Sequence, residues 1–418
     1  MNTIPYNIDA ERLCMNLKRK LCRFAVAALF STTMMSAMPG SSKATPQERS
    51  TDTNLQSKGV TSVLQPFVDK HALAGAVTLV ADRRGVLSLE AVGWADIAAK
   101  KPLKTDALFW IASQSKPITA AAFMILVDEG KVHLDDPVEK YLPEFRGQWL
   151  AVEHDNDHQL LKRPSHPITI REILSHTSGL PFASSIENPT LDQRPLSERV
   201  VSYAVSPLQF EPGTKYSYAN AGINTAGRII EVVSGMSYEK FLDRHFFEPL
   251  GMKDTTFWPN AKQIARIAKS YRPNGAKDNL EETTVTQLRY PLNDRANRYP
   301  MPAGGLFSTA TDLAKFCRMI LNGGELDGKR YLSEAAIHEL TSKQTGNLPD
   351  GYGLGWSTGG GNFGHGGAYA TNMNIDTNHG DGLITIWMVQ HAGYPLNGDQ
   401  AYGAFRQVAD KEFGKPKQ

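Results

Sequence analysis

The chain has 418 residues, 41% of them hydrophobic and 21% charged. That composition excludes bulk disorder, and the length allows one large core or two to three smaller ones. Its formal charge of +2 is misleading, because residues 1–44 carry six basic and two acidic side chains and the remainder holds 39 basic against 41 acidic residues. No basic surplus is left to bind nucleic acid.

The first elements read as an export leader. Lys18-Arg19-Lys20 and Arg23 form a basic region, Phe24 to Met38 is mostly apolar or small, and Ser42-Lys43-Ala44 offers small residues around a cleavage site. Met15 is an alternative start. The apolar run is short of the roughly 20 residues a membrane helix needs, so a cleaved leader over 1–44 and a periplasmic or secreted protein are expected. Residues 45–54 read as a linker. Cys14 and Cys22 fall in or before the leader, which leaves Cys317 alone and unable to form an intramolecular disulfide. Cys317 shares a helical face with Leu313, Phe316 and Ile320, the pattern of a buried thiol.

Leu55–Lys70 has helical spacing. Ala74–Ala81 and Val86–Val92 read as strands joined by a turn at Asp82-Arg83-Arg84-Gly85. Ile118–Asp128 is a buried helix closed by Gly130. Residues 146–167 are polar and read as a surface loop. A helix follows at Ile168–Leu174, with Thr169 as N-cap and His176-Thr177-Ser178-Gly179 as its stop. Helical spacing returns at Ser197–Val205, Ala221–Val233 and Tyr238–Phe247. Residues 259–300 are long, polar and loop-like. A helix at Asp312–Asn322 has Thr309 or Thr311 as cap. Strand signals occupy Gly353–Thr358, Tyr369–Asp376 and Leu383–Gln390, and a last amphipathic helix fits Gln400–Phe413. Strands at both ends with helices between predict an α/β (α+β) fold. One sheet is built from the two terminal regions, and a mainly helical part is inserted between them.

Ser113-Gln114-Ser115-Lys116-Pro117 is the stretch with chemistry in it. Residues three apart on a helix share a face, so Ser113 and Lys116 can meet. Pro117 is tolerated only in a first helical turn, which sets the serine near a helix N-terminus. A serine hydroxyl needs a neighbouring base to become a nucleophile. Tyr218 and Asn220 lie two apart before a helix, and extended backbone would turn both to one side. A packed aromatic and a helix cap are the alternative there. Gly364-His365-Gly366-Gly367-Ala368 places a histidine among glycines, where backbone can approach a ligand closely. An exposed hairpin histidine is the equal alternative. Pro302-Ala303-Gly304-Gly305 reads as a structural turn. No Gly-x-Ser-x-Gly, His-Glu-x-x-His or cysteine pair occurs, so neither an α/β-hydrolase elbow nor a metal site is expected. No cofactor is called for.

Ser113-x-x-Lys116, Tyr218-x-Asn220 and His365-x-Gly367, in that order, resemble the three motifs of the serine β-lactamase/penicillin-binding superfamily. The chain is most similar to the branch of class C β-lactamase-related hydrolases, with family VIII esterases and D-amino-acid peptidases. Phe109–Pro117, Leu134–Pro137, Ile168–Pro181, Pro212-Gly213 and Ala303–Asp312 extend the likeness over roughly residues 55–410. The resemblance implies a β-lactamase/DD-peptidase-like fold over 55–418, with sheet parts at 55–108 and 301–418 and a mainly helical part at 109–300. It implies an acyl-enzyme on Ser113, with Lys116 and Tyr218 sharing base and proton work. Asn220 and His365 would contact substrate or Lys116, and Gly366, Gly367 and Ala368 would line the substrate. The Ser113 and Ala368 N–H groups would form the oxyanion hole.

His365-Gly366-Gly367 departs from the family's Lys-Thr-Gly by lacking its ammonium and hydroxyl. A carboxylate-bearing lactam is held best by a fixed cation, whereas a histidine is largely neutral near pH 7. A small-molecule ester or amide is therefore the expected substrate, with weak β-lactamase activity at best and no nucleic-acid or stable membrane partner. A penicillin-recognising sensor and a D-amino-acid carboxypeptidase or β-lactamase are the alternatives.

Overall fold

The structure, a computed structural model, describes residues 58–155 and 157–416. The expected leader and linker lie outside these residues. Among the described residues no helix is long and apolar enough to cross a membrane.

Helix α1 (Lys58–Asp69) leads into strands β1 (Gly75–Ala81), β2 (Val86–Asp96) and the short β3 (Lys101–Pro102). Five longer helices then matter for the site or the core: α2 (Ser115–Asp128), α3 (Ile170–Ser175), α4 (Leu196–Val205), α5 (Asn220–Ser234) and α6 (Ala310–Leu321). Strands β4 (Ser357–Gly359), β5 (Asn362–Gly366), β6 (Asn372–Asp376) and β7 (Leu383–Met388) come next, and α7 (Gln400–Phe413) closes the chain. The sheet runs β4-β5-β6-β7-β1-β2-β3 with antiparallel neighbours. Its centre is the pairing of β1 with β7, from Val77 opposite Met388 to Ala81 opposite Ile384. The two ends of the sequence thus meet mid-sheet, as the order of strand signals predicts.

All seven residues of β1 are buried, because both sheet faces are covered. Ala76 and Val80 pack with Val60 and Leu64 of α1 and Phe405 and Ala409 of α7. Val77, Leu79 and Ala81 point the other way, into the larger core with α2 and α6. Burying each such Leu or Val contributes about 1.5–3 kcal/mol, so the alternation along β1 fixes its register.

Thr169 caps α3 as expected, in a reciprocal pair with Glu172. The helix ends on His176, whose φ of +63° is left-handed. Thr309, rather than Thr311, caps α6. Other expectations need correction. The 146–167 segment holds an antiparallel hairpin, Leu150–His154 with Gln159–Lys162. The 259–300 segment holds another, Ser270–Pro273 with Leu280–Thr283, and a short helix at Ala261–Ile264. The first hairpin is largely exposed and the second only in part, with Ser270 and Tyr271 buried, and neither carries the apolar alternation that marks a strand. A helix at Glu334–Thr341, capped by Ser333, was not foreseen. The expected strand at Gly353–Thr358 is displaced to Ser357–Gly359 and Asn362–Gly366. Within residues 351–356 the chain instead meets α2 at Gly355, which has φ +75° and where a Cβ would come within 2.8 Å of the Lys116 carbonyl oxygen. That close crossing needs glycine and stops a regular strand.

Candidate active site

Ser113 is set by two neighbours. Phe109-Trp110 pairs with Phe307-Ser308, and the Ile111 N–H donates to the Leu306 carbonyl at 3.0 Å. Ala112 then takes a left-handed φ of +46°, a conformation that costs a non-glycine residue roughly 1–3 kcal/mol. Ser113 follows in a single 3-10 turn, Ala112–Gln114, just ahead of α2. The serine therefore stands one turn upstream of the helix rather than on its first residue. It is half-buried, while Lys116 is fully buried.

Lys116 Nζ lies 3.1 Å from Ser113 Oγ, 2.8 Å from Asn220 Oδ1 and 2.7 Å from the Ala303 carbonyl oxygen. Burial pulls its pKa well below the usual lysine value, because a charged amine loses its hydration there. Asn220 Oδ1 and the Ala303 carbonyl oxygen can only accept, so each takes an N–H of Lys116, and the third position of the nitrogen faces the serine hydroxyl. Ala303 is itself fixed, its N–H donating to Asn224 Oδ1 of α5 at 3.1 Å. The Pro302–Gly305 turn read as structural therefore supplies a lysine partner, a role no side-chain pattern signals.

Asn220 is the first residue of α5, and the Tyr218 ring covers Lys116 Nζ at 4.6 Å from its centroid. Tyr218 and Asn220 thus both reach Lys116, one with a face and one with an oxygen. His365 is buried on β5, with Nε2 3.5 Å from Tyr218 Oη. The exposed-hairpin alternative for His365 does not hold. Burial and the neighbouring Lys116 push its pKa down to about 3. Gly367 lies against the serine strand, where a Cβ would come within 2.6 Å of the Ile111 carbonyl oxygen. Gly366 and Ala368 are exposed at that edge. Outside helices and strands, the Ala368 N–H donates to no backbone carbonyl of the described residues. All eight residues singled out in the sequence come together here.

Three further residues join them. Tyr352 is buried with its Oη 3.0 Å from His365 Nε2 and 3.1 Å from His176 Nε2. The His176 ring packs at a 46° tilt against Tyr218, 4.4 Å between centroids. Phe182, half-exposed, sits with its ring 6.4 Å from that of Tyr218, and its carbonyl accepts the Asn220 and Ala221 N–H groups. His176 and Tyr352 stand in the glycine-punctuated runs His176-Thr177-Ser178-Gly179 and Gly351-Tyr352-Gly353, the one signal that could have flagged them. Among the described residues no group of His, Cys, Asp and Glu is placed to hold a metal ion.

A family profile described as Beta-lactamase matches residues 60–409. Protein Rv1367c of Mycobacterium tuberculosis is 31% identical over 366 residues, covering 78% of this chain and 88% of that protein. Esterase EstB of Burkholderia gladioli is 29% identical, covering 71% of this chain and 77% of that one. Among solved structures, EstCE1, described as a hydrolase with promiscuous acyltransferase activity, superposes with a TM-score of 0.68 at 23% identity, over 84% of this chain and 97% of that one. At that identity the likeness speaks for the fold alone.

Proposed function

The chain belongs to the Beta-lactamase family of serine hydrolases, and on that premise we propose that it hydrolyses small carboxylic esters through an acyl-enzyme on Ser113. The observation that carries the reading is the buried amine of Lys116. Asn220 Oδ1 and the Ala303 carbonyl oxygen each hold one of its N–H groups, and its third position, the lone pair in the neutral form, faces Ser113 Oγ at 3.1 Å. Lys116 takes the serine proton as Oγ adds to the ester carbonyl. The Ser113 and Ala368 N–H groups hold the resulting oxyanion. Tyr218, over the newly formed ammonium, helps return the proton to the departing alkoxide. Water then attacks the acyl-enzyme by the same route in reverse. Esterase EstB, the similar protein above, supports an ester as substrate. So does the neutral surrounding of His365, which offers no cation to a lactam carboxylate. Purified protein should turn over p-nitrophenyl butyrate and leave nitrocefin nearly untouched, and Ser113→Ala should be inactive. Full ester turnover by Ser113→Ala would sink the proposal. Stable labelling of Ser113 by a fluorescent penicillin without ester turnover would favour a sensor instead. The protein is further proposed to be exported, which N-terminal sequencing of the mature form in its native host would check.

A further inference from the structure

His176, Tyr352 and His365 form a buried hydrogen-bonded row whose two ends are fixed by backbone groups of opposite polarity. At one end His176 Nδ1 accepts the Ala219 N–H at 3.2 Å. An amide N–H can only donate, so this nitrogen keeps its lone pair and the imidazole proton sits on Nε2. That Nε2–H points at Tyr352 Oη, 3.1 Å away. At the other end His365 Nδ1 lies 2.7 Å from the Gly366 carbonyl oxygen. A carbonyl can only accept, so His365 carries its proton on Nδ1. Tyr352 receives one hydrogen bond from His176 and has one hydrogen to give, and it gives it to His365 Nε2 at 3.0 Å. A second proton on His365 would turn the tyrosine hydrogen away and place a cation in a pocket shared with Lys116. The titratable groups facing His365 are Lys116 from α2, Tyr218 from the segment before α5, His176 from the end of α3, and Tyr352. Tyr216 packs behind them, 5.6 Å from the Tyr352 ring. No carboxylate is among them.

We propose that Tyr352, oriented by His176, is a positioning residue that holds His365 as a neutral hydrogen-bond acceptor, and that this arrangement restricts the site to acyl substrates without a carboxylate near the scissile carbonyl. The proposal rests on the ester-hydrolase reading and adds the substrate's charge class to it. The row is built into the fold: His176 is placed by the left-handed end of α3, and Tyr352 lies in the segment that meets α2 at Gly355.

The test uses the whole protein with 15N-labelled histidine. In the wild type, His365 should remain a neutral Nδ1–H imidazole from pH 5 to pH 8. In Tyr352→Phe it should titrate inside that range. The preference for p-nitrophenyl butyrate over the mono-p-nitrophenyl ester of glutaric acid, read as a kcat/KM ratio, should fall by about tenfold or more at pH 6 and recover at pH 8. His176→Asn keeps the left-handed turn, which asparagine tolerates, and removes the donor to Tyr352 together with the acceptor of the Ala219 N–H. It should shift both readouts the same way by less, and it serves if Tyr352→Phe does not fold. A wild-type His365 that titrates near pH 6.5, or that carries its proton on Nε2, would overturn the proposal. So would variants that fold and leave tautomer and charge preference unchanged. Absence of ester turnover in the wild type would instead defeat the ester-hydrolase reading, and the tautomer measurement still decides the role of Tyr352.

Discussion

Asn220 Oδ1 lies 2.8 Å from Lys116 Nζ, across 104 positions of sequence. The contact exists because α5 begins on Asn220, whose N–H is held by the Phe182 carbonyl at 2.9 Å. A carboxylate at this point would favour the ammonium over the amine. Asn220→Asp should therefore raise the Lys116 pKa and move the rise of activity to higher pH. At pH 7 kcat/KM for p-nitrophenyl butyrate should drop by about 10- to 100-fold, with partial recovery at pH 9. A loss independent of pH would contradict Lys116 as the base.

Lys116→Met keeps the length of the side chain and removes the nitrogen. General-base contributions of this kind run to roughly 10²–10⁴ in rate, so kcat should fall by that range with little change in KM. Thermal stability should be kept or raised, because an amine buried at such a point is costly to fold. Rapid kinetics on a chromogenic ester, paired with a melting curve, checks both.

The β1–β7 pairing was legible because its residues alternate between two apolar faces, a signal set by local burial. Ser113 and Lys116 stood out through their spacing and the proline that follows, whereas Tyr218, Asn220 and His365 were picked out by the order of three motifs that resembles a known superfamily, since each alone reads equally as a packed or exposed side chain. What escaped was made by long-range contact. The Ala303 carbonyl and the Tyr352 hydroxyl act through position alone, and neither backbone oxygen nor a lone aromatic announces itself in sequence. The hairpins at 150–162 and 270–283 escaped because tertiary pairing, rather than local pattern, makes them strands.

Stability should depend on pH through His365. Its folded pKa is pushed down to about 3, while an unfolded histidine titrates near 6.5. Below about pH 6.5 the unfolded chain binds a proton that the folded protein refuses, so stability is lost as pH falls toward 3. The slope from one such group is about 1.4 kcal/mol per pH unit. His176, also pulled well below its usual value by burial and by Lys116 and His365, adds in the same direction. Urea midpoints between pH 7 and pH 4.5 should show the decline, and His365→Gln should make it shallower.

Phe182 presents a half-exposed apolar ring 6.4 Å from that of Tyr218. Phe182→Ala should raise KM for long-chain or aryl esters by about 3- to 10-fold, the equivalent of partly uncovering an apolar group. Turnover of p-nitrophenyl acetate should stay unchanged. Equal losses on short and long esters would place the substrate chain elsewhere.

Replacing Gly355 by alanine forces a Cβ toward the Lys116 carbonyl oxygen at a φ of +75°. A destabilisation of about 1–3 kcal/mol is expected. Activity should fall further than the unfolded fraction explains, since residues 351–356 carry Tyr352 to His365. Activity measured well below the melting temperature separates the two effects.

The low pKa of Lys116 is a property of the finished fold rather than of its sequence motif. Its burial needs α2, α5 and the 302–305 turn at once, and in an extended chain the same amine would be an ordinary, protonated lysine unable to take a serine proton. Lys116 is closed in only when segments more than a hundred residues apart have met, since Asn220 Oδ1 and the Ala303 carbonyl oxygen reach its Nζ across 104 and 187 positions. A serine-directed probe applied during refolding would light up last, after the sheet had formed.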